Sequence, residues 1–338
     1  MLKSYIKAVE YHLPQDVLVN DDLAKLYPEW TAEKIEGKTG IRERRIAAEG
    51  ETSLDLAEAA ARKLFECSDL KPEQVDFLLL VTETPDYVLP ASACVLHGKL
   101  GLPEACGALD VNLGCSGYVY GLSLAKGLIC AGIARNVLLL TADTYSKIIH
   151  PMDKSTRTLF GDAAAATWVA SDGFAEIIDF DLGSRGADYD RLIVPAGMFR
   201  NPKSELTGMV EVDENGYARS KENVFMDGTD IMSFSIDVVP KSVEKLLERN
   251  KMNKDQVDRF VFHQANEFML GYLRKKMRIP ADRLEVSMGD IGNTVSSSVP
   301  IALKRAMDKG SISEGARVVL CGFGVGLSWG SALLRIGG

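Results

Sequence analysis

A cysteine, a histidine and an asparagine lie in stretches whose local patterns suit chemistry. Cys115 sits in Asp110-Val111-Asn112-Leu113-Gly114-Cys115-Ser116-Gly117-Tyr118. The residues before it read as a buried strand and those after it as an apolar-faced helix. The thiol therefore falls at or near a helix N-terminus, where unpaired N–H groups and the macrodipole stabilise a thiolate. His263 lies in Phe262-His263-Gln264-Ala265-Asn266, and Asn293 in Gly292-Asn293-Thr294. A nucleophile, an imidazole and a carboxamide together can perform acyl transfer. The chain has four histidines, so few residues can supply the imidazole. Singly, each has a plainer reading: a buried structural cysteine, a strand-end histidine bonded to a core carbonyl, a Gly-Asn turn. Gly114 and Gly117 allow close backbone approach and set Cys115 apart from Cys67, Cys94, Cys106, Cys130 and Cys321.

Elements far apart in the chain must bring these residues together, and an internal repeat supplies the means. At a shift of 182 residues, Ser53-Leu54-Asp55-Leu56 matches Ser235-Ile236-Asp237-Val238, and Lys63-Leu64-Phe65-Glu66 matches Lys245-Leu246-Leu247-Glu248. Gln74-Val75-Asp76 likewise matches Gln256-Val257-Asp258. A period this long indicates a duplicated domain, with halves at 1–172 and 173–338. Each copy reads as a helix (54–66; 236–249), a buried strand (77–81; 259–263), a second helix (118–131; 298–307) and a second strand (137–141; 318–321), an α/β layering. Cys115 then falls opposite Ser297, so the helices after Cys115 and Asn293 are pseudo-equivalent and meet at the centre. A pseudo-twofold places Cys115, His263 and Asn293 in one cavity. Between the halves, residues 174–219 are rich in Gly, Asp and Pro and read as a long loop lining a cleft.

Composition narrows the function. The chain has 338 residues, 46% apolar and 25% charged, with a net charge of −8. An acidic balance excludes nucleic acid as the main partner. No Cys-x-x-Cys pair or metal-ligand spacing occurs, so no metal is expected, and the cysteines suit a reducing compartment. The N-terminus lacks an apolar signal core, and the uncharged run 318–334 is broken by glycine and serine. These features predict a cytoplasmic enzyme with no membrane span. The turn from Gly322 to Gly330 follows a late strand and opens no helix, so it is no nucleotide fingerprint, and no nicotinamide or flavin cofactor is expected.

Five motifs extend the pattern along the chain: Thr39-Gly40-Ile41-Arg42-Glu43-Arg44, Phe160-Gly161-Asp162-Ala163, His263-Gln264-Ala265-Asn266, Gly292-Asn293-Thr294, and Gly322-Phe323-Gly324-Val325-Gly326-Leu327-Ser328-Trp329-Gly330-Ser331. With them the sequence resembles the β-ketoacyl-acyl-carrier-protein synthase III family nearly end to end. The resemblance implies the five-layered α/β/α/β/α thiolase fold, a homodimer, and a decarboxylative condensation of an acyl-CoA primer with a malonyl thioester. It implies Cys115 as nucleophile, His263 and Asn293 as donors to the malonyl thioester carbonyl, and Phe323 lining the pocket. The Cys115 amide and an N–H of the turn from Gly324 to Val325 and Gly326 are oxyanion-hole candidates.

The sequence also departs from the family. Trp30 matches the tryptophan that holds coenzyme A, but the two usual arginines are Lys38 and Lys154, which lose the bidentate fork. Arg42 and Arg157 are candidates to share the phosphates. The gate position, reaching the neighbouring subunit's tunnel and often aromatic, is Leu89, which hints at a longer or branched primer. Phe268 stands where a carrier-docking basic residue is usual, with Arg274, Lys275, Lys276 and Arg278 following. The malonyl carrier, protein or coenzyme A, is left open, as is fatty-acid initiation against an accessory pathway. Rival readings are transfer of the acyl group from Cys115 to oxygen or nitrogen, a papain-like protease, and a catalytically silent partner subunit.

Overall fold

The computed structural model describes residues 3–337 apart from Asn215. The strands of its main sheet, in chain order, are β1 (Tyr5–His12), β2 (Phe77–Val81), β3 (Gly107–Val111), β4 (Asn136–Asp143), β5 (Ala163–Ala170), β6 (Ala175–Ser184), β7 (Arg259–Phe262), β8 (Arg317–Gly324) and β9 (Ser328–Ile336). Among the described residues these form one sheet in the order β7-β8-β9-β6-β1-β5-β4-β2-β3. The main helices are α1 (Ser53–Cys67), α2 (Gly117–Cys130), α3 (Gly228–Arg249), α4 (Glu267–Met277) and α5 (Ser298–Asp308).

Read outward from its middle, the sheet repeats itself. One half runs β1-β5-β4-β2-β3 and the other β6-β9-β8-β7, ending in a parallel bridge between Phe260 and Leu284. The directions match strand for strand. The β2–β4 and β7–β8 pairs are parallel, while β4–β5 and β8–β9 are antiparallel. The halves join where Tyr5 and Ile6 of β1 pair with Glu176 and Ala175 of β6.

Side-chain alternation builds the layers. Leu79 and Val81 of β2 face α2 and α5, which pack between the half-sheets, whereas Leu78 and Leu80 face α1 on the outside. Strands covered on both faces read as unbroken apolar runs. Helix α1 begins at a capping box, Thr52 with Asp55. Helix α3 covers the outer face of β8 and β9. The sequence of layers is α3, one half-sheet, α2 with α5, the other half-sheet, and α1: the five-layered thiolase architecture. Each central helix is also tied at its start to the opposite half. Ser116 Oγ lies 2.7 Å from Ser328 Oγ at the head of β9, and Ser297 Oγ donates to the Ala163 carbonyl at the head of β5.

Two expectations need correction. The segment 174–219 is not all loop, because Ala175–Ser184 is a ten-residue strand at the sheet's centre. Its acidic residues hid it, yet Glu176 pairs with Lys3 and Arg335, and Asp179 with Arg249. In addition, α2 and α5 follow N-caps at Ser116 and Ser297, so at the helix starts the offset is one residue shorter than the repeat and Cys115 falls opposite Ser296.

Candidate active site

Cys115 lies between β3 and α2, in a turn closed by the Gly117 N–H on the Gly114 carbonyl at 2.7 Å. It is buried. Strand β8 of the other half passes directly against it. A Cβ on Gly322 would stand 2.5 Å from the Cys115 carbonyl oxygen, and one on Gly324 would stand 2.8 Å from Cys115 Sγ. Gly324 has φ of 154°, which further favours glycine. The next residue, Val325, donates its backbone N–H to the sulfur.

Burial pushes the Cys115 thiol up, the neighbouring Glu83 carboxyl adds to the rise, and the Val325 N–H opposes it. This corrects the expectation drawn from the helix end. Complete enclosure beside an acidic group outweighs the favourable helix terminus.

His263 follows β7 directly, its N–H bonded to the Cys321 carbonyl at 2.7 Å. Its Nδ1 lies 2.7 Å from Ser298 Oγ, and its ring meets Phe323 edge-on with centroids 5.6 Å apart. Burial pushes its pKa down to about 3, against a smaller upward pull from the Val295 carbonyl, so the ring is neutral at ordinary pH.

Asn293 is fixed by its backbone and by one end of its carboxamide. Its N–H bonds to the Leu159 carbonyl at 2.8 Å, and its carbonyl accepts from Gly161 N–H at 2.9 Å. Its Oδ1 accepts the Val295 N–H at 3.0 Å, which leaves Nδ2 as the free end of the carboxamide. Val295 has φ of 51°, a left-handed conformation costly for a β-branched residue, on the order of 1–3 kcal/mol. Its carbonyl also lies 2.9 Å from the Ser298 hydroxyl. One strained residue thus meets Asn293 through its N–H and His263 through its carbonyl and Ser298.

These groups line one cavity of about 70 Å³: Cys115, His263, Asn293, Phe323 and Gly324, closed by Phe160 and Leu192. Leu89 lies outside it, on an 80% exposed surface turn. A wider cleft of about 530 Å³ adjoins through Leu159, Met226, Gly228 and Asn266. Trp30 and Lys154 line that cleft. Lys38 Nζ sits 5.1 Å over the Trp30 ring, and Lys154 pairs with Glu29. Arg42 and Arg157 do not line it. Arg42 lies on the surface near Gly289 and Asp290, and Arg157 is half-buried among Tyr27 and Asp162. The cleft holds instead an arginine that sequence reasoning missed, Arg219, between Asp153 and Asp213 and 5.0 Å over Phe225. Its segment has no periodicity to flag it. Ser298 and Val295 were also missed, although the repeat had already set this helix start opposite Cys115. No group of side chains able to hold a metal ion occurs among the described residues, and no helix there is long and apolar enough to cross a membrane.

Comparison with known proteins places the chain in a family. Residues 109–186 match the family model for 3-oxoacyl-[acyl-carrier-protein] synthase III, and residues 247–336 match the model for its C-terminal part. The β-ketoacyl-[acyl-carrier-protein] synthase III of Caldanaerobacter subterraneus is 36% identical over 96% of this chain and 95% of its own. A crystal structure of a 3-oxoacyl-(acyl-carrier-protein) synthase III superimposes with a TM-score of 0.97 at 52% identity, covering 99% of this chain and all of the other. The 3-oxoacyl-(acyl-carrier-protein) synthase of Burkholderia xenovorans gives a TM-score of 0.90 at 38% identity, covering 99% and 94%. The chain, with its paired half-sheets and its cysteine, histidine and asparagine round one cavity, belongs to the 3-oxoacyl-acyl-carrier-protein synthase III family.

Proposed function

We propose that this acyltransferase condenses an acyl-CoA primer with a malonyl thioester, releasing coenzyme A and carbon dioxide and giving a β-ketoacyl thioester. The observation that carries this reading is the convergence of Cys115 from one half with His263 and Asn293 from the other on one closed cavity. Cys115 attacks the primer carbonyl, and its proton passes to the departing coenzyme A sulfur. The tetrahedral oxyanion is met by backbone N–H groups of Cys115 and of the turn at Val325, and coenzyme A leaves. The malonyl thioester then enters. Asn293 Nδ2 and His263 Nε2 donate to its carbonyl, with Phe323 alongside. Breaking the bond to the carboxylate leaves its electron pair as an enolate under those two donors. The enolate carbon attacks the acyl-Cys115 carbonyl and frees the sulfur. A neutral ring suits this work, because decarboxylation supplies the carbanion without a strong base.

Trp30, Lys38, Lys154 and Arg219 are the groups we assign to the coenzyme A end. Stacking on Trp30 and point charges there replace the usual pair of guanidinium forks. We also propose a cytoplasmic homodimer, in which Leu89 reaches the neighbouring subunit, and either acyl-carrier protein or coenzyme A as the malonyl carrier. Acceptance of the acyl group by oxygen or nitrogen would need no decarboxylation, so carbon dioxide release from a malonyl thioester separates the two chemistries. Intact-mass measurement with a panel of acyl-CoA thioesters tests the first step. Wild type should gain one acyl group and Cys115→Ala none, and acylation of the alanine variant would overturn the assignment. His263→Ala should retain acylation better than condensation.

A further inference from the structure

A second cavity of about 340 Å³ lies across Val325 from the nucleophile and shares Leu192 with the first. Cys115, His263 and Asn293 do not line it, but Val325, whose N–H bonds to Cys115 Sγ, does, so an acyl tail on that sulfur would enter this cavity past Val325 while the malonyl thioester takes the side of His263 and Asn293. Among aliphatic walls that include Ile148 and Val224, it carries Glu83, Asn112 and Tyr145. Glu83 stands close to the nucleophile's own turn. Its Oε2 accepts the Tyr145 hydroxyl, and a Cβ on Gly114 would come within 2.3 Å of that oxygen. Its backbone N–H is bonded to Asp143 Oδ1 at 2.9 Å, which fixes the segment. Its other oxygen, Oε1, has no hydrogen-bond partner among the described residues.

A purely alkyl tail here would strip water from a carboxyl oxygen and return nothing to it, and that desolvation opposes binding. A hydroxyl on the tail would replace the lost water. We propose, building on the condensing function above, that the primer carries a hydroxyl on its acyl chain and that Glu83 selects it by a hydrogen bond at Oε1. The preference is for a hydrogen-bond donor over an isosteric alkyl group, set before the second substrate arrives.

The test uses the full-length protein and reads acylation of Cys115 by time-resolved intact mass. The probes are butyryl-CoA, 3-hydroxybutyryl-CoA and 4-hydroxybutyryl-CoA at equal concentration. Wild type should take one of the hydroxyacyl groups at least about tenfold faster than butyryl, since a buried polar group left unpaired discriminates strongly. Glu83→Leu should reverse that order. Equal or faster labelling of wild type by butyryl-CoA overturns the proposal, and so does a leucine variant that keeps the hydroxyacyl preference. The wild-type comparison decides alone should the leucine variant not fold. Failure of every thioester to label Cys115 would instead count against the condensing function, so the two failures are distinct.

Discussion

His263 Nδ1 and Ser298 Oγ lie 2.7 Å apart, and the same hydroxyl lies 2.9 Å from the Val295 carbonyl. One hydroxyl proton serves two acceptors. When it goes to Nδ1, the neutral ring carries its hydrogen on Nε2, which is then a donor. When it goes to Val295, Nδ1 must itself donate and Nε2 becomes an acceptor. Ser298 therefore controls whether Nε2 faces the cavity as a donor or as an acceptor. Ser298→Ala should lower condensation by about ten- to a hundredfold, the usual loss when an orienting partner of an imidazole is removed. Acylation of Cys115 should change far less. Single-turnover acylation beside steady-state condensation checks it, and equal loss in both steps would contradict the tautomer role.

Gly324→Ala tests the contact between the halves. The added methyl would stand 2.8 Å from Cys115 Sγ and Cβ, on a residue at φ of 154°. Such crowding cannot be relieved without moving β8 or the thiol. The variant should alkylate with iodoacetamide at a rate at least about tenfold below wild type, and thermal stability should fall by about 1–3 kcal/mol. Unchanged alkylation would show that the sulfur points elsewhere.

Stability should respond to pH through the buried carboxyl. Burial pushes Glu83 from its ordinary 4.5 up to about 7, so the folded protein holds a proton that the unfolded chain has released. That contribution is complete below about pH 4.5 and is lost as pH rises to about 7. His263 acts in the opposite sense. Its pKa is near 3 when folded against 6.5 otherwise, so its contribution is present above pH 6.5 and lost as pH falls. Asp143 is raised to about 8 by burial and by Glu83 and acts in the same sense, so Glu83→Gln removes the Glu83 contribution, lessens that of Asp143 and leaves His263 unchanged. The unfolding free energy of the variant relative to wild type should climb from pH 5 to between about 7 and 8 and then level, by about 3 kcal/mol. Parallel curves across that range would refute the raised carboxyl.

The sequence was legible where pattern is local. Strand β2 falls at 77–81 as its unbroken apolar run predicts, and α1 and α5 end within a residue of the expected limits. Strand β6 was not, because its carboxylates are satisfied by Lys3, Arg249 and Arg335, which lie far away in the chain. The basic residues divided similarly. Trp30 and Lys154 reach the cleft, while Arg42 and Arg157 are drawn to neighbours that spacing cannot reveal, and Arg219 takes a place there.

By itself the sequence determined the chemical types: a cysteine between strand and helix, a histidine, an asparagine, and a duplication able to unite them. Only the tertiary structure decided their state. The Cys115 thiol is raised rather than lowered because enclosure by β8 and by Glu83 outweighs the helix end. Asn293 presents its amide nitrogen because Val295 N–H holds the oxygen. Periodicity and spacing record which residues share an element, whereas ionisation and hydrogen-bond direction depend on which distant groups exclude water from them.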